Sequence, residues 1–327
     1  MVTVATCLLN EEEVLPELLR RVMAVLDSLP GGPHEFVIID DGSSDRTFSL
    51  IEAAARADHR IVGVSLSRNF GHQAALSAAL ERSTGDVVIL MDGDLQDPPE
   101  EIPRLLAGFE DGYDVVYAQR TNRGESWLLR ACYHAFYRVI GKLAELNLPL
   151  DAGDFSLLSR RVVDEIVSMP EHNRYLRGLR AWVGFRQIGI PVSRARRAGG
   201  TPAYTPRKLF RLAFDGIFAF SVAPLRAAAL IGMVTTIGAF TYAGYAVIAR
   251  VATGESPKGF TTLIVAMAFL AGVQLLFLGI IGEYLGRVYE ETKRRPQFVI
   301  SKTVGDDLSS KLGRSISSTV GRGRDGR

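Results

Sequence analysis

Two acidic clusters are the first candidates for chemistry in this 327-residue chain: Asp40-Asp41-Gly42-Ser43-Ser44-Asp45 and Asp92-Gly93-Asp94-Leu95-Gln96-Asp97-Pro98-Pro99. Each follows a short apolar run, EFVII and VVILM, and so reads as the loop leaving a strand. Carboxylates gathered at one sheet edge repel one another unless a cation or hydrogen-bond donors offset them. Carboxylate and amide oxygens suit a hard divalent ion, Mg2+ or Mn2+. Asp92, Asp94 and Gln96 alternate around Gly93 and Leu95, so in an extended turn all three side chains can point to one side. An acidic turn or a helix N-cap is the plainer reading of an isolated Asp-x-Asp; its place directly behind VVILM favours the ion.

Anion binding has its own candidates. Arg130, His134, Arg138 and Lys142 recur every four residues in WLLRACYHAFYRVIGKL, so a helix would line them along one stripe beside Leu129, Tyr133, Phe136, Tyr137 and Ile140. Such a helix is basic toward phosphate and apolar toward lipid; a solvated face is the alternative for His134, Arg138 and Lys142. Residues 186–214 add seven basic groups and no acidic one, a second patch suited to anionic headgroups. Residues 1–110 carry 8 basic and 19 acidic side chains, whereas 111–327 carry 30 and 17. This separates a region that holds a cation from one that meets anions. Nucleic acid is a rival partner for the basic patches, but the acidic loops and adjoining apolar spans argue against it. Phe155, Trp127 and Trp182 read as packing or interfacial anchors, and His72, in SRNFGHQ, as a residue that starts a helix.

Holding these loops in place requires alternating strands and helices. Apolar runs at 2–9, 35–39, 61–66, 87–91 and 114–118 alternate with helical stretches at 14–29, 46–57, 71–82 and 100–110. The first stretch spaces Leu15, Leu18, Leu19, Val22, Val25, Leu26 and Leu29 as one apolar helix face. Repeated β–α units predict an α/β fold, a mostly parallel sheet with flanking helices, whose ligands sit beyond the carboxyl ends of the strands. Neither G-x-G-x-x-G after the first strand nor G-x-x-x-x-G-K-[ST] is present, which leaves metal bridging to hold phosphates. Cys7 and Cys132 lie far apart without C-x-x-C spacing. That excludes a disulfide framework and a structural zinc site, and fits reduced thiols in a cytosolic setting.

A mean hydropathy of +0.12 with 47% hydrophobic residues is high for a wholly soluble chain. Twenty-three uncharged residues separate Arg226 from Arg250, and 24 separate Lys258 from Glu283. As helices each covers about 35 Å, against a hydrocarbon core of about 30 Å. Gly254 and Pro257 make the link a turn, so 227–249 and 259–282 form a transmembrane hairpin. Arg207, Lys208, Arg211 and Arg226 precede it and Arg287, Lys293, Arg294 and Arg295 follow it, against Arg250 and Lys258 in the loop. Both termini and the α/β domain are therefore expected in the cytoplasm, and no signal peptide is apparent. Residues 207–222 carry Leu209, Phe210, Leu212, Phe214, Ile217 and Phe218 mostly along one flank, the pattern of an interfacial helix. The expected organisation is an α/β domain over 1–200, a juxtamembrane amphipathic segment over 201–224, the hairpin over 225–286 and a basic tail over 287–327. Ser, Gly and Arg dominate from Ser301 onward, which reads as disorder.

Taken together, LLNEEE, VIIDDGSSDRT, SRNFGHQAAL, MDGDLQDPPE, DAGDFSLLSRR and RKLFRLAFDGIFAFS resemble family 2 glycosyltransferases of the polyprenyl-phosphate subgroup. The chain is similar over residues 3–295 to dolichol-phosphate mannose synthases and bacterial polyprenyl-phosphate glucosyltransferases. The resemblance implies a GT-A, Rossmann-like fold that moves one sugar, with inversion, from a nucleotide-sugar donor to a polyprenyl-phosphate acceptor. UDP-glucose is the first implied donor, with GDP-mannose and UDP-linked amino sugars open beside it; the inner cell membrane is the implied location and a homo-oligomer the implied assembly. Asn10, Glu11, Asp40 and Asp41 would line the nucleoside pocket. Asp92, Asp94 and Gln96 would hold Mg2+ or Mn2+ and the diphosphate, with Gly93 leaving room for it. Arg120 and Arg130 would face phosphate groups.

Asp94, Asp154 and Arg130 are the implied catalytic residues. Asp154, in Asp151-Ala152-Gly153-Asp154-Phe155, stands where a base is often proposed. A phosphate monoester is already largely ionised at pH 7, its second pKa being about 6, so Asp154 is equally suited to positioning the acceptor or a partner Arg. Cys7 replaces the usual Pro of the first strand, and GTPAYTPRK puts Pro202-Ala203 where relatives often place a Lys, which leaves no phosphate clamp assigned there. A processive polysaccharide synthase typically carries Q-x-x-R-W and more spans, and the chain has neither. The complete Asp-x-Asp-x-Gln set argues against a catalytically silent membrane scaffold.

Overall fold

The computed structural model describes residues 1–120, 152–171, 174–193, 223–253 and 259–305. The chain divides into two units, residues 1–124, 148–201 and 296–327 in one and 125–147 and 202–295 in the other. In the first, strands β1 (Val2–Leu8), β2 (Glu35–Asp40), β3 (Ile61–Leu66), β4 (Val87–Asp92), β5 (Val115–Arg120), β6 (Ala152–Ser159), β7 (Gln187–Val192) and β8 (Ile300–Val304) form one sheet of order β7-β5-β6-β4-β1-β2-β3-β8. β6 runs antiparallel to β4 and β5, and β8 runs antiparallel to β3; the remaining pairs are parallel. Helices α1 (Leu15–Ser28), α2 (Thr47–Ala57), α3 (His72–Arg82), α4 (Ile102–Glu110), α5 (Arg160–Ser168) and α6 (Leu176–Trp182) flank it. This is the mostly parallel, helix-flanked sheet that the sequence predicts, and elements up to residue 120 start and stop within two residues of expectation.

The central strands are apolar on both faces because both are covered. Val4, Phe36, Ile38, Ile89 and Met91 belong to one buried cluster with Leu15, Leu18 and Val22 of α1, Ile51 of α2 and Leu105 of α4. Their neighbours Ala5, Val37, Ile39, Val88 and Leu90 form a second cluster with Leu76 of α3, Val162 of α5 and Leu179 of α6. The period of two along each strand thus separates two cores.

Two expectations change. The sequence pattern predicts no element over the Asp151-to-Phe155 motif, yet from Ala152 onward it is β6, inserted between β4 and β5. The reading of disorder from Ser301 fails over the strand β8, whose residues belong to the first unit; residues 306–327 lie outside the described residues. Without β8, the outer edge of β3 would present unpaired backbone groups. Ser67 N–H donates to Val299 O at 2.8 Å, Lys302 pairs with Glu52 at 2.8 Å, and Phe298 and Ile300 pack on the second core. The basic stripe of residues 130–142 and the interfacial segment 207–222 lie outside the described residues.

The second unit contains helices α7 (Ala223–Thr253) and α8 (Phe260–Thr292). Both are long and apolar enough to cross a membrane. Their 31 and 33 residues correspond to about 46 and 50 Å, longer than the uncharged runs alone. Phe240, Val247, Leu263, Phe269 and Leu275 are exposed, which water would penalise and lipid would not. Past the apolar stretch, α8 carries the ion pairs Arg287–Glu283 and Lys293–Glu290.

Docking of β8 depends on Gly305, whose φ is +78° and where an added Cβ would lie 2.1 Å from the Ile61 carbonyl oxygen. Gly305→Ala should lower the thermal midpoint of the full chain in detergent, since the left-handed backbone alone costs a non-glycine residue about 1–2 kcal/mol. An unchanged midpoint would mean that the strand is not seated on β3.

Candidate active site

Strand register assembles the acidic centre. Cys7 of β1 is the parallel partner of Asp92 at the end of β4. On the other side, β4 pairs with β6 as Leu90↔Ser156, and two more residues of that antiparallel register set Asp154 opposite Asp92. Like charges directly opposed across strands are destabilising, so the row needs cations over it. Two helices on that face supply them. His72, the first residue of α3, sets its Nε2 3.5 Å from Asp92 Oδ1 and 3.7 Å from Asp154 Oδ2. Arg177 of α6 grips Asp154 through two bonds, Nε to Oδ1 at 2.7 Å and Nη2 to Oδ2 at 2.6 Å.

These contacts shift the titrations in opposite senses. Burial pushes Asp92 up to about 6, helped by the Asp154 charge and opposed by His72. The Asp154 carboxylate and the Cys7 sulfur drive His72 up to about 11 against its own burial. Burial also acts to raise Asp154, but Arg177 and His72 outweigh it and hold that carboxyl well below the usual range. Asp154 is therefore ionised and engaged, a poor proton acceptor and a good anchor. Arg180, one turn along α6, is buried beside it; burial pushes its guanidinium down to about 10. Its Nη1 donates to Gly153 O at 3.3 Å, its Nη2 has no hydrogen-bond partner, and it lies over the Tyr117 ring.

The residues expected around the nucleoside tie loops together. Asp41 accepts from Phe70 N–H at 2.8 Å and Gly71 N–H at 3.0 Å, the two residues before His72. Asp40 accepts from Ser43 N–H and Ser65 Oγ–H. Asn10 Oδ1 accepts from Ser44 N–H at 2.8 Å, and Glu11 N–H donates to Thr47 Oγ1. Gly42, with φ +74°, passes so near that a Cβ would lie 2.5 Å from the Arg68 carbonyl carbon. The loops after β1, β2 and β3 are thus one interlocked surface.

The loop after β4 is a turn, as expected, but a tight one and not extended. Leu95 has φ +56°, and Asp94 Oδ1 accepts from Gln96 N–H at 3.1 Å. A Cβ at Gly93 would lie 2.1 Å from Leu8 Cδ2, so a side chain there would have to displace that buried leucine. The donor set nevertheless fits a divalent cation: Asp97 and Asp94 add to the burial and the Asp154 charge that raise Asp92, a concentration of negative charge that such an ion relieves. Arg130 lies outside the described residues, and Arg120 is described only as the last backbone position of β5.

Sequence reasoning missed His72 and Arg177. His72 follows a strand and so opens at the same edge as the acidic loops, a signal that was present. Arg177 carries no local signal; it reaches Asp154 because α6 folds onto β6, its N-terminal Leu176 N–H held by Gln73 Oε1 of α3 at 2.9 Å.

Asp154→Asn should destabilise the fold by up to about 3 kcal/mol, because it leaves the partly buried Arg177 without its counter-charge. A carboxyl depressed in the folded state contributes stability above its unfolded value of about 3.9 and loses it as pH falls through the folded value. The deficit of Asp154→Asn in denaturant titrations should therefore hold from neutral pH down to about 4 and shrink only below that.

Residues 3–167 match the family model described as glycosyl transferase family 2, and residues 223–288 match the one described as GtrB C-terminal hairpin. An uncharacterized glycosyltransferase of Synechocystis is 41% identical over 297 residues, 90% of this chain and 93% of that one. The SfII prophage-derived bactoprenol glucosyl transferase of Shigella flexneri is 39% identical over 295 residues, 90% of this chain and 95% of that one. A prophage bactoprenol glucosyl transferase homolog of Escherichia coli is 38% identical, with 90% and 96% covered. With a family model over half its length and relatives this similar over nearly their whole length, the chain belongs to glycosyl transferase family 2.

Proposed function

We propose that this glycosyltransferase transfers a single sugar, glucose from UDP-glucose, to a polyprenyl phosphate with inversion at the anomeric carbon. The observation that carries the reading is the Asp92–Asp94 loop at the carboxyl end of β4 in a family 2 chain. The relatives named for bactoprenol glucosyl transfer and the match to the GtrB hairpin support the lipid acceptor. Cleaving the bond from C1 to the diphosphate leaves negative charge on the departing phosphate. Asp92, Asp94 and Gln96 would hold the Mg2+ or Mn2+ ion, which when bound offsets that charge.

The chain's own side chains take the remaining roles. Asn10, Glu11, Asp40 and Asp41 frame the nucleoside, and the interlocking of their loops makes the frame rigid before the donor arrives. An acceptor phosphate is already ionised near neutral pH, so no base is needed. Asp154 then fits the part of holding Arg177, while Arg120 and Arg130 face phosphate. The apolar hairpin keeps the enzyme at the inner membrane, with both termini and the catalytic unit cytoplasmic by the charge bias of the flanks. A homo-oligomer is part of the same reading.

The test incubates the full chain in detergent with Mn2+, a short polyprenyl phosphate and a panel of radiolabelled nucleotide sugars. UDP-glucose should carry label into the organic phase, chelation should stop it, and Asp94→Asn should lower turnover by about a hundredfold or more, the size of losing one charge-stabilising contact, with the thermal midpoint kept. No transfer from any donor would sink the reading in favour of a silent scaffold. Label in long water-soluble chains would instead favour a processive synthase.

A further inference from the structure

We propose that His72 and Asp154 complete a metal site with Asp92, an imidazole-and-carboxylate site built from α3, β6 and β4, in addition to the acidic loop after β4. The proposal rests on the metal-dependent reading above and deepens it. One ligand atom from each of the three residues lies within 4.8 Å of the others. His72 Nε2 stands 3.5 and 3.7 Å from the two carboxylate oxygens. These separations exceed the 2.7–3.2 Å of ordinary N–H···O bonds. They come within a few tenths of an ångström of the roughly 3.0–3.5 Å between neighbouring ligands around an ion with bonds of about 2.0–2.2 Å.

The surroundings orient each ligand. Cys7 Sγ lies 3.1 Å from His72 Nδ1 and 4.0 Å from the His72 carbonyl oxygen. With the thiol proton directed at that carbonyl, the sulfur is left to accept the Nδ1 proton. Once its Nε2 proton is lost, the ring presents the Nε2 lone pair on the side of Asp92 and Asp154, and a ligating histidine normally has its other nitrogen fixed by such a partner. Asp41, which ties the backbone of Phe70 and Gly71, fixes the approach of the ring. Asp154 stays ionised in the grip of Arg177, and the two-point pair leaves further lone-pair capacity on its oxygens. As the ion enters, His72 releases its Nε2 proton to solvent, and the ion takes the place of that positive charge between the two carboxylates. An imidazole ligand favours Mn2+ and its later neighbours over Mg2+, so the site is one for a transition-metal ion.

The experiment is pulsed EPR of the full chain in detergent loaded with Mn2+ alone, without nucleotide or acceptor. The wild type should bind Mn2+ and show the 14N coupling of a directly ligated imidazole. His72→Gln should lose that coupling and bind Mn2+ at least about tenfold more weakly, while binding of Mg2+ changes much less. A wild-type spectrum without 14N coupling overturns the proposal, as does the absence of Mn2+ binding. Both results come from the wild type alone and hold even if the variant fails to fold. Glycosyl transfer measured separately distinguishes this failure from failure of the function: active enzyme with all-oxygen Mn2+ refutes only the role of His72 and Asp154.

Discussion

The opposition of Asp92 and Asp154 across neighbouring strands is the constraint around which the catalytic unit is built. Two carboxylates set in register at the rim of a sheet, one 7% exposed and the other partly buried, cannot stand as bare anions in a poorly solvated place. Arg177 and His72 supply the compensating charge, and each is delivered by a helix on the same face of the sheet. The pairing is asymmetric. Asp154 is held firmly ionised by two short bonds to Arg177, whereas burial and the Asp154 charge push Asp92 up to about 6. That difference makes Asp154 the fixed member of the pair and leaves the charge of Asp92 dependent on its surroundings.

Delivery of the two cations depends on a chain of contacts reaching well outside the row. Asp41 restrains the backbone just before His72, and Gln73, the next residue along α3, holds the first turn of α6 and so the place of Arg177. Asp41, expected from the sequence at the nucleoside, is thus seen bracing the backbone that carries His72. The interlocked loops after β1, β2 and β3 and the charged row are mechanically one object, since such loops over a packed sheet adjust together or not at all.

The hairpin and the catalytic sheet solve different solvation problems. α7 and α8 expose Leu, Ile, Val and Phe along their lengths, which is tolerable only in an apolar medium. The sheet satisfies its backbone internally and buries both faces. The chain that leaves α8 returns as β8 and covers the β3 edge, so the membrane segment lies within the sequence of the catalytic unit and both ends of the insertion connect to it.

Most of the scaffold was legible in the sequence because its signals are local. Apolar runs of strand length, helical spacing such as Leu15 to Leu29, and two uncharged stretches long enough to span a bilayer depend only on neighbours along the chain. Asp92 and Asp94 were visible because a strand pattern precedes them. β8 was not, because five residues in a Ser- and Gly-rich tail become a strand only when an open edge at β3 accepts them. His72 was legible as a helix start and illegible as a neighbour of two carboxylates. Tertiary structure alone decided that Asp154 faces Asp92, that Arg177 binds it, and that Cys7 meets the imidazole. Register between strands distant in sequence is set by the packing of whole sheets and helices, and no short stretch of residues records it.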